Sequence, residues 1–334
     1  MNEQTEKGKF IVKLLDDFPN AYSRTLAKMA HEREPKLFPS YESARSLIRY
    51  YRDALGEGSR KKVSEHKRPR VFSPELWNPY GLPETDADDY PPFHIKNKRV
   101  LVLPDLHVPY HDIQAITVAL KEGEEREINA VLLNGDFFDF HGGSRFTRDP
   151  RLRDMGREID VGAELIRKIY DIFKCPIYFK KGNHDERWEN YLKVHAPQLI
   201  NTPEFELNNL LNSRLDFNLQ TIHRQVIYAG KLAIIHGHEY GGDGGGMAAS
   251  PAKWLFMKTK KSAMKSHSHR ESSFTTKNIE GGIITTWSTG CLCGLWPEYA
   301  QLNEWVHGFS VVDFDDEGQF NVNNFRIHNG KLYR

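Results

Sequence analysis

From about residue 98 the chain alternates short apolar runs with longer amphipathic stretches, and this alternation constrains the fold more than any other feature. "RVLVLPDLH" opens as a buried-type strand, and "IQAITVALKEGEERE" follows as a helix. "INAVLLNGDFFDF" reads as a second strand, "LRDMGREIDVGAELIRKIYDIF" as a long amphipathic helix, and "PIYFKKGNHD" as a third strand. Strands separated by helices argue a largely parallel α/β sheet. After residue 225 strand-like runs dominate: "QVIYAGKLAIIHGH", "GGIITTWSTGCLC", "GFSVVDFD" and "QFNVNNFRI". These are expected to form a second sheet that completes a sandwich.

The front of the chain is different. Residues 5 to about 56 carry three helical patterns. Phe10, Ile11, Leu14 and Leu15 share one apolar face, and Ser23 and Ser40 stand where helix caps are expected. Ala44, Leu47, Ile48 and Tyr51 form the apolar stripe of the third helix, with Arg45, Arg49 and Arg52 recurring at i, i+4 and i+7 on another side. Residues 1–70 hold 16 Lys/Arg against 10 Asp/Glu, although the whole chain has a formal net charge of only +1. Three short helices ending in a basic one resemble a helix-turn-helix module, with nucleic acid as the partner and Arg45, Arg49 and Arg52 as contacts. The plainer alternative is a structural cap with a solvated arginine face. Residues 63–96 read as a connector, because Pro74, Pro79, Pro83, Pro91 and Pro92 exclude long helices and central strands. The expected organisation is a helical module over 1–62, that connector, and a domain over 97–334.

Each strand of the larger region closes on polar residues of metal-ligand type. Asp105 and His107 follow the first, and Asp136 and Asp139 the second. Asn183, His184, Asp185 and Glu186 follow the third, His236 and His238 follow "KLAII", and His267 and His269 lie further on. In an open α/β sheet the carboxyl ends of the strands form the ligand crevice. Carboxylate, imidazole and amide donors suit Mn²⁺, Fe or Zn²⁺, and the absence of sulfur among them disfavours a soft-metal site. Cys175, Cys291 and Cys293 read as ordinary thiols of a reducing compartment, since three cysteines make no disulfide framework.

In this order "DLH", "GDFFD", "GNHD", "HGH" and "SHSH" resemble the calcineurin-like metallophosphoesterase superfamily. The resemblance covers about residues 97–330. It implies a four-layer α-β-β-α sandwich and hydrolysis of phosphate esters by a hydroxide bridging two divalent metals. Manganese is the expected ion, with iron and zinc as alternatives. Carried over by motif, Asp105, His107 and His269 would hold one ion, Asn183, His236 and His267 the other, and Asp136 would bridge them. His184 would be catalytic and Asp139 would orient its ring, while Asp185 and Glu186 would begin the next helix. Two departures stand out. Ser266 replaces the glycine of the last motif, which could re-aim His267. Phe140 stands where the Ser/Thr protein phosphatase branch has a phosphate-binding arginine. Arg145, Arg148, Arg187 and Arg270 are candidates to replace that arginine, although all but Arg270 read more readily as surface or structural residues; Arg270, His141 and Arg145 are candidates for the substrate cleft.

The expected function is therefore a metal-dependent phosphoesterase, with a phosphodiester of nucleic acid as the favoured substrate. A phosphomonoesterase or small-molecule phosphodiesterase capped by the N-terminal helices is one alternative, and a DNA-binding regulator with a relic phosphatase domain is another. The arrangement resembles phage and prophage phosphoesterases. The amino-terminal stretch "MNEQTEKGKF" lacks an apolar core of signal type, and no apolar run approaches membrane-spanning length. The expected location is the cytoplasm, that of the host if a phage encodes the chain, with no membrane partner. Nothing in the sequence supports a homo-oligomer.

Overall fold

The computed structural model describes residues 5–52, 80, 82–83, 87, 89–144, 154–241, 249–297 and 300–333. It divides into two units, Met1–Asp88 and Asp89–Arg334. Arg145, Arg148 and the basic run Arg60-Lys61-Lys62 lie outside the described residues.

The first unit holds α1 (Glu6–Asp17), α2 (Ser23–Arg33) and α3 (Tyr41–Tyr51). They pack around Ile11, Leu14, Leu15, Leu26, Ala30, Phe38, Ala44 and Ile48. Ser40 caps α3 by accepting the Ser43 N–H. Ser23 does not cap α2 but opens it as its first helical residue.

The second unit runs β1 (Phe93–Ile95), β2 (Arg99–Leu103), α4 (Ile113–Glu125), β3 (Ala130–Asn134), α5 (Met155–Phe173) and β4 (Ile177–Lys180). Next come α6 (Arg187–His195), α7 (Leu207–Asn212), β5 (Gln220–Ile222), β6 (Ile227–Ala229), β7 (Leu232–Ile234) and α8 (Pro251–Thr259). The chain closes with β8 (Ala263–Lys265), β9 (Ser272–Lys277), β10 (Ile283–Ser288), β11 (His307–Phe314), β12 (Phe320–His328) and β13 (Lys331–Tyr333). One sheet has the order β13-β12-β11-β2-β3-β4-β5 and the other β1-β6-β7-β8-β10-β9. Strands β2 to β5 pair in parallel, joined by helical crossovers.

Period-two alternation makes the layers. Val100, Val102, Ala130 and Leu132 meet Ile95, Ile227, Ile234 and Met264 between the sheets. Their neighbours Leu101, Leu103, Val131 and Leu133 face the other way, against Ala115 and Ala119 of α4 and Ile159, Ala163 and Ile166 of α5. Beyond the second sheet, Ala233, Ile235 and Ala263 pack on Leu255 of α8. Burying each large aliphatic side chain in this way contributes roughly 1.5–3 kcal/mol. The result is the expected α-β-β-α stack.

Two expectations fail in detail. Strands β11 and β12 do not build the second sheet; with β13 they extend the first one, β11 pairing antiparallel with β2 and each further strand antiparallel to the one before it. The stretch read as a connector also supplies β1, which pairs in parallel with β6. Both depend on which strand becomes a neighbour, and local periodicity carries no such information. Among the described residues, no helix is long and apolar enough to cross a membrane.

Candidate metal centre

The loops after β2, β3, β7 and β8 bring six of the seven predicted ligands together: Asp105, His107, Asp136, His236, His267 and His269. Asp136 is at the middle. Its Oδ2 lies 3.3 Å from His236 Nε2, 3.9 Å from His267 Nδ1 and 3.9 Å from His107 Nε2. Asp105 Oδ1 lies 3.4 Å from His269 Nε2, and the Nε2 atoms of His107 and His269 are 3.2 Å apart. Two sets of converging donor atoms result: Asp105, His107 and Asp136 form one, and Asp136, His236 and His267 the other. Asp136 belongs to both.

The backbone is bent to aim these groups. Five of the seven predicted ligands have positive φ: Asp105 at 46°, His107 at 48°, Asp136 at 48°, His267 at 70° and His269 at 54°. Such conformations are uncommon for residues with a Cβ and cluster at functional sites. Two glycines make room. A Cβ on Gly135 would overlap His236 Nδ1, and one on Gly182 would overlap Asp136 Oδ1. Ser266 itself is not among the residues of positive φ, so its position does not demand glycine. Its Oγ accepts from Asn134 Nδ2 at 2.7 Å, tying the loop after β8 to the end of β3, and the positive φ falls on His267 instead.

A second layer of partners fixes the imidazoles. His236 Nδ1 donates to the Asn134 carbonyl at 2.9 Å, leaving Nε2 as the ligand atom. Glu239 accepts the His236 N–H at 3.0 Å and is itself held by the buried Lys180 at 2.9 Å. Burial works to raise the Glu239 pKa, but Lys180 and His236 outweigh it and hold the carboxyl at about 2. Asp139 Oδ1 lies 3.1 Å from both His107 Nδ1 and His184 Nδ1, so it orients one predicted ligand as well as the predicted catalytic ring.

The four-residue polar burst divides differently from expectation. His184 donates its backbone N–H to Asp136 Oδ1 at 2.8 Å. Burial, with His107 and Arg187 nearby, pushes its imidazole down to about 4. Asp185 does not begin a helix, since α6 starts at Arg187. Its fully buried carboxyl accepts from Gly182 N at 2.8 Å and Phe138 N at 2.9 Å, clamping the loops after β3 and β4 to each other. Burial, then Asp136, pushes it up to about 7. Glu186 pairs with Arg224 and makes no cap hydrogen bond.

Several buried ligand-type atoms make no hydrogen bond: His236 Nε2, His267 Nδ1, Asn183 Oδ1 and His269 Nδ1. A buried polar atom left unpaired costs about 1–3 kcal/mol, so several in one place mark a site built for something else. The carboxylates also call for positive charge. Burial alone would lower the His236 pKa, but Asp136 and Asp105 raise it to about 10. Cations among these donors would answer both demands, so the residues fit a divalent metal centre.

Comparison with known proteins agrees. Residues 98–272 match the family described as calcineurin-like phosphoesterase. The chain belongs to the calcineurin-like phosphoesterase family. It is similar to the Gene 54 protein of Mycobacterium phage L5, at 24% identity over 181 residues, which is 52% of this chain and 70% of that protein. The Gene 54 protein of Mycobacterium phage D29 is 24% identical over 184 residues, with the same coverage. Among solved structures, a single mutant of Vps29 from Entamoeba histolytica is 15% identical with a TM-score of 0.36, covering 70% of this chain and 96% of that one. Yfce, a phosphoesterase from E. coli, is 10% identical with a TM-score of 0.32, covering 67% and 98%.

Bordering the ligand set at His107, the calcineurin-like domain has a cleft of about 410 Å³ lined also by Tyr110, His141, Cys293, Trp296 and Trp305, among others. His141, a candidate for the substrate cleft, is among the residues that line it. Arg270 is not a free cation: it pairs with Glu304. Two residues stand closer to the centre than the sequence favoured. Arg187, one of the candidate replacements for the missing arginine but favoured as surface or structural, donates to the Asp139 carbonyl at 2.7 Å and lies 2.8 Å from His184 Nε2. Cys293, read as an ordinary thiol, has its Sγ within 4.8 Å of ligand atoms of His107 and His269. Arg187 lies one helical turn after His184, a spacing that could have flagged it; Cys293 gave no local signal.

Proposed function

We propose that this chain hydrolyses phosphodiesters, with nucleic acid or its fragments as substrate, at a pair of divalent metal ions. The observation that carries the reading is the position of Asp136. One buried carboxylate faces three imidazoles from three loops, as a group shared by two ions must. Asp105, His107 and His269 would hold one ion, and Asn183, His236 and His267 the other. Such a pair, when bound, supplies an activated water and neutralises the charge of an in-line displacement at phosphorus.

The remaining chemistry belongs to the protein. Asp139 receives the His184 Nδ1–H and fixes its tautomer, so Nε2 is the atom turned toward Arg187. Arg187 places a permanent positive charge beside that ring, where a phosphate oxygen would be bound. This guanidinium takes the place of the arginine that Phe140 displaces. Phe140 itself is buried, stacked on Phe138 at 4.8 Å. Beside this centre, Tyr110, Trp296 and Trp305 offer flat apolar faces to the organic part of the ester, and aromatic faces suit unpaired bases.

A second reading, a small-molecule phosphodiesterase whose N-terminal helices are structural, draws support from the arginines of α3. Arg45 pairs with Glu42 at 3.0 Å, and Arg52 donates to the Pro19 and Ala21 carbonyls. Arg52 is thus engaged within the helical unit, which favours a structural role for it; Arg49 is exposed. A Mn²⁺-supplemented panel of bis-p-nitrophenyl phosphate, p-nitrophenyl phosphate, single-stranded DNA and duplex DNA separates the readings. Cleavage of the diester and of single-stranded DNA is expected. Turnover of the monoester alone would overturn the proposal.

A further inference from the structure

Cys293 sits where a metal ligand would, and its segment is held there on both sides. Leu292 donates its N–H to the Asp105 carbonyl at 3.1 Å, and Gly294 donates to the Tyr110 carbonyl at 2.8 Å. From the other side, Cys291 N–H donates to the Val306 carbonyl at 2.9 Å, and His307 Nε2 lies 2.9 Å from the Cys293 carbonyl. The residue is 2% exposed, and both Cys291 and Cys293 are free thiols. Its Sγ and a ring nitrogen of each of His107 and His269 lie within 4.8 Å of one another. The two imidazoles already face each other through Nε2 at 3.2 Å, and Asp105 Oδ1 approaches His269 Nε2 at 3.4 Å. The Nδ1 atom of the buried His269 makes no hydrogen bond. His107, His269 and Cys293 therefore form one set of converging ligand-type atoms, and Asp105 meets that set at His269.

We propose that Cys293 is a ligand of the ion held by Asp105, His107 and His269. The proposal rests on the metal-centre reading above and adds to it the identity of the ion. Binding breaks the S–H bond, forms a thiolate–metal bond and releases the proton to solvent through the cleft, with no change of oxidation state. A set of two imidazoles, one carboxylate and one thiolate is borderline-soft, so this position selects Zn²⁺ or Fe²⁺ over Mn²⁺ or Mg²⁺. The other position, with Asn183, His236, His267 and the shared Asp136, has only nitrogen and oxygen donors. The centre is thus chemically unequal, and a mixed pair of ions is its expected content.

The test is cobalt substitution of the full-length protein after chelation. Co²⁺ should give ligand-field bands in wild type, together with a near-ultraviolet thiolate-to-metal charge-transfer band. Cys293→Ser should lose the charge-transfer band while still binding cobalt, and Cys291→Ser should keep it. Competition should show Zn²⁺ affinity falling in Cys293→Ser by more than the roughly 10–100-fold that loss of an outer-shell partner costs. Cys293→Ala checks that the loss follows the sulfur and not the added hydroxyl, and far-ultraviolet circular dichroism confirms that each variant is folded. Cobalt bound by wild type without a charge-transfer band, or a band that survives Cys293→Ser, overturns the Cys293 assignment alone. Failure of the folded wild type to bind cobalt at all overturns the metal centre beneath it.

Discussion

The strand-end loops and the helical unit handle polar groups in opposite ways. In the loops, Asp105, Asp136 and His236 are essentially excluded from solvent, and several ligand-type atoms make no hydrogen bond. Five predicted ligands adopt positive φ there, whereas none of the described residues of the helical unit does. In the helices the arginines answer to the protein itself or to solvent: Arg45 to Glu42, Arg52 to two carbonyls, Arg49 exposed. The loops hold strain and unmet bonding capacity that only a bound group relieves. The helices are locally satisfied, so whatever they recognise must be met by a surface. The first region should fail abruptly when altered, and the second by degrees.

The sharpest break is expected at Asp136. Asp136→Asn removes the charge that both ligand sets share, so ion content and turnover should fall together. Elemental analysis alongside hydrolysis of a chromogenic diester reads both. Two ions per chain at normal turnover would disprove the bridging assignment.

His184 comes next. It is close enough to His107 and Asp139 to count as a ligand itself, yet its Nε2 meets Arg187. As a catalytic group it should leave both ions in place when changed to alanine, while turnover drops by roughly 10²–10⁴. Loss of an ion from His184→Ala would make it a ligand and return the role to Arg187.

Between these extremes lies Glu158, which supports the centre without touching it. Its carboxyl is buried and accepts the Phe140 N–H at 2.7 Å, beside Asp139. Burial first, then Asp139, pushes it up to about 8. The fold therefore favours the protonated acid. That stabilisation is complete below the ordinary glutamate range and is lost as pH rises toward 8. Glu158→Gln keeps the acceptor and removes the titration. Relative to wild type, it should gain stability between about pH 5 and 8, by a few kcal/mol at most, and change no further above that. Urea unfolding across the range measures it, and parallel curves for the two proteins would refute the assignment.

What the sequence discloses follows the same division. Ligands are legible because metal chemistry admits few residue types and the ends of parallel strands deliver them in order. The layers are legible because an unbroken apolar run such as Val100-Leu101-Val102-Leu103 marks a strand buried on both faces. The sheet membership of β11 to β13 is not, since pairing with β2 is a long-range choice. Cys293 is silent for the same reason: its place beside His107 arises only when residues 291–294 bond to the loop carrying Asp105 and Tyr110. Basic residues on a helix disclose least, because solvent, a carboxylate or a backbone carbonyl satisfies an arginine as well as a phosphate does.

The smallest expected effect tests that last ambiguity. If the helical unit binds nucleic acid as proposed, Arg45 and Arg49 are the residues of α3 left to meet phosphate, since Arg52 clamps Pro19 and Ala21. Each phosphate contact contributes about −0.9 to the slope of log affinity against log salt on duplex DNA. Changing Arg45 and Arg49 to alanine should therefore flatten that slope by up to about 2 and leave hydrolysis of a small chromogenic diester unchanged. Arg52→Ala should instead lower the unfolding midpoint of the helical unit, because it leaves two carbonyls without their donor. Titration of labelled DNA at several salt concentrations reads the double variant against wild type, and thermal unfolding reads Arg52→Ala. Equal slopes for wild type and the double variant would make the helices a structural element, and the substrate would then be set by the aromatic cleft alone.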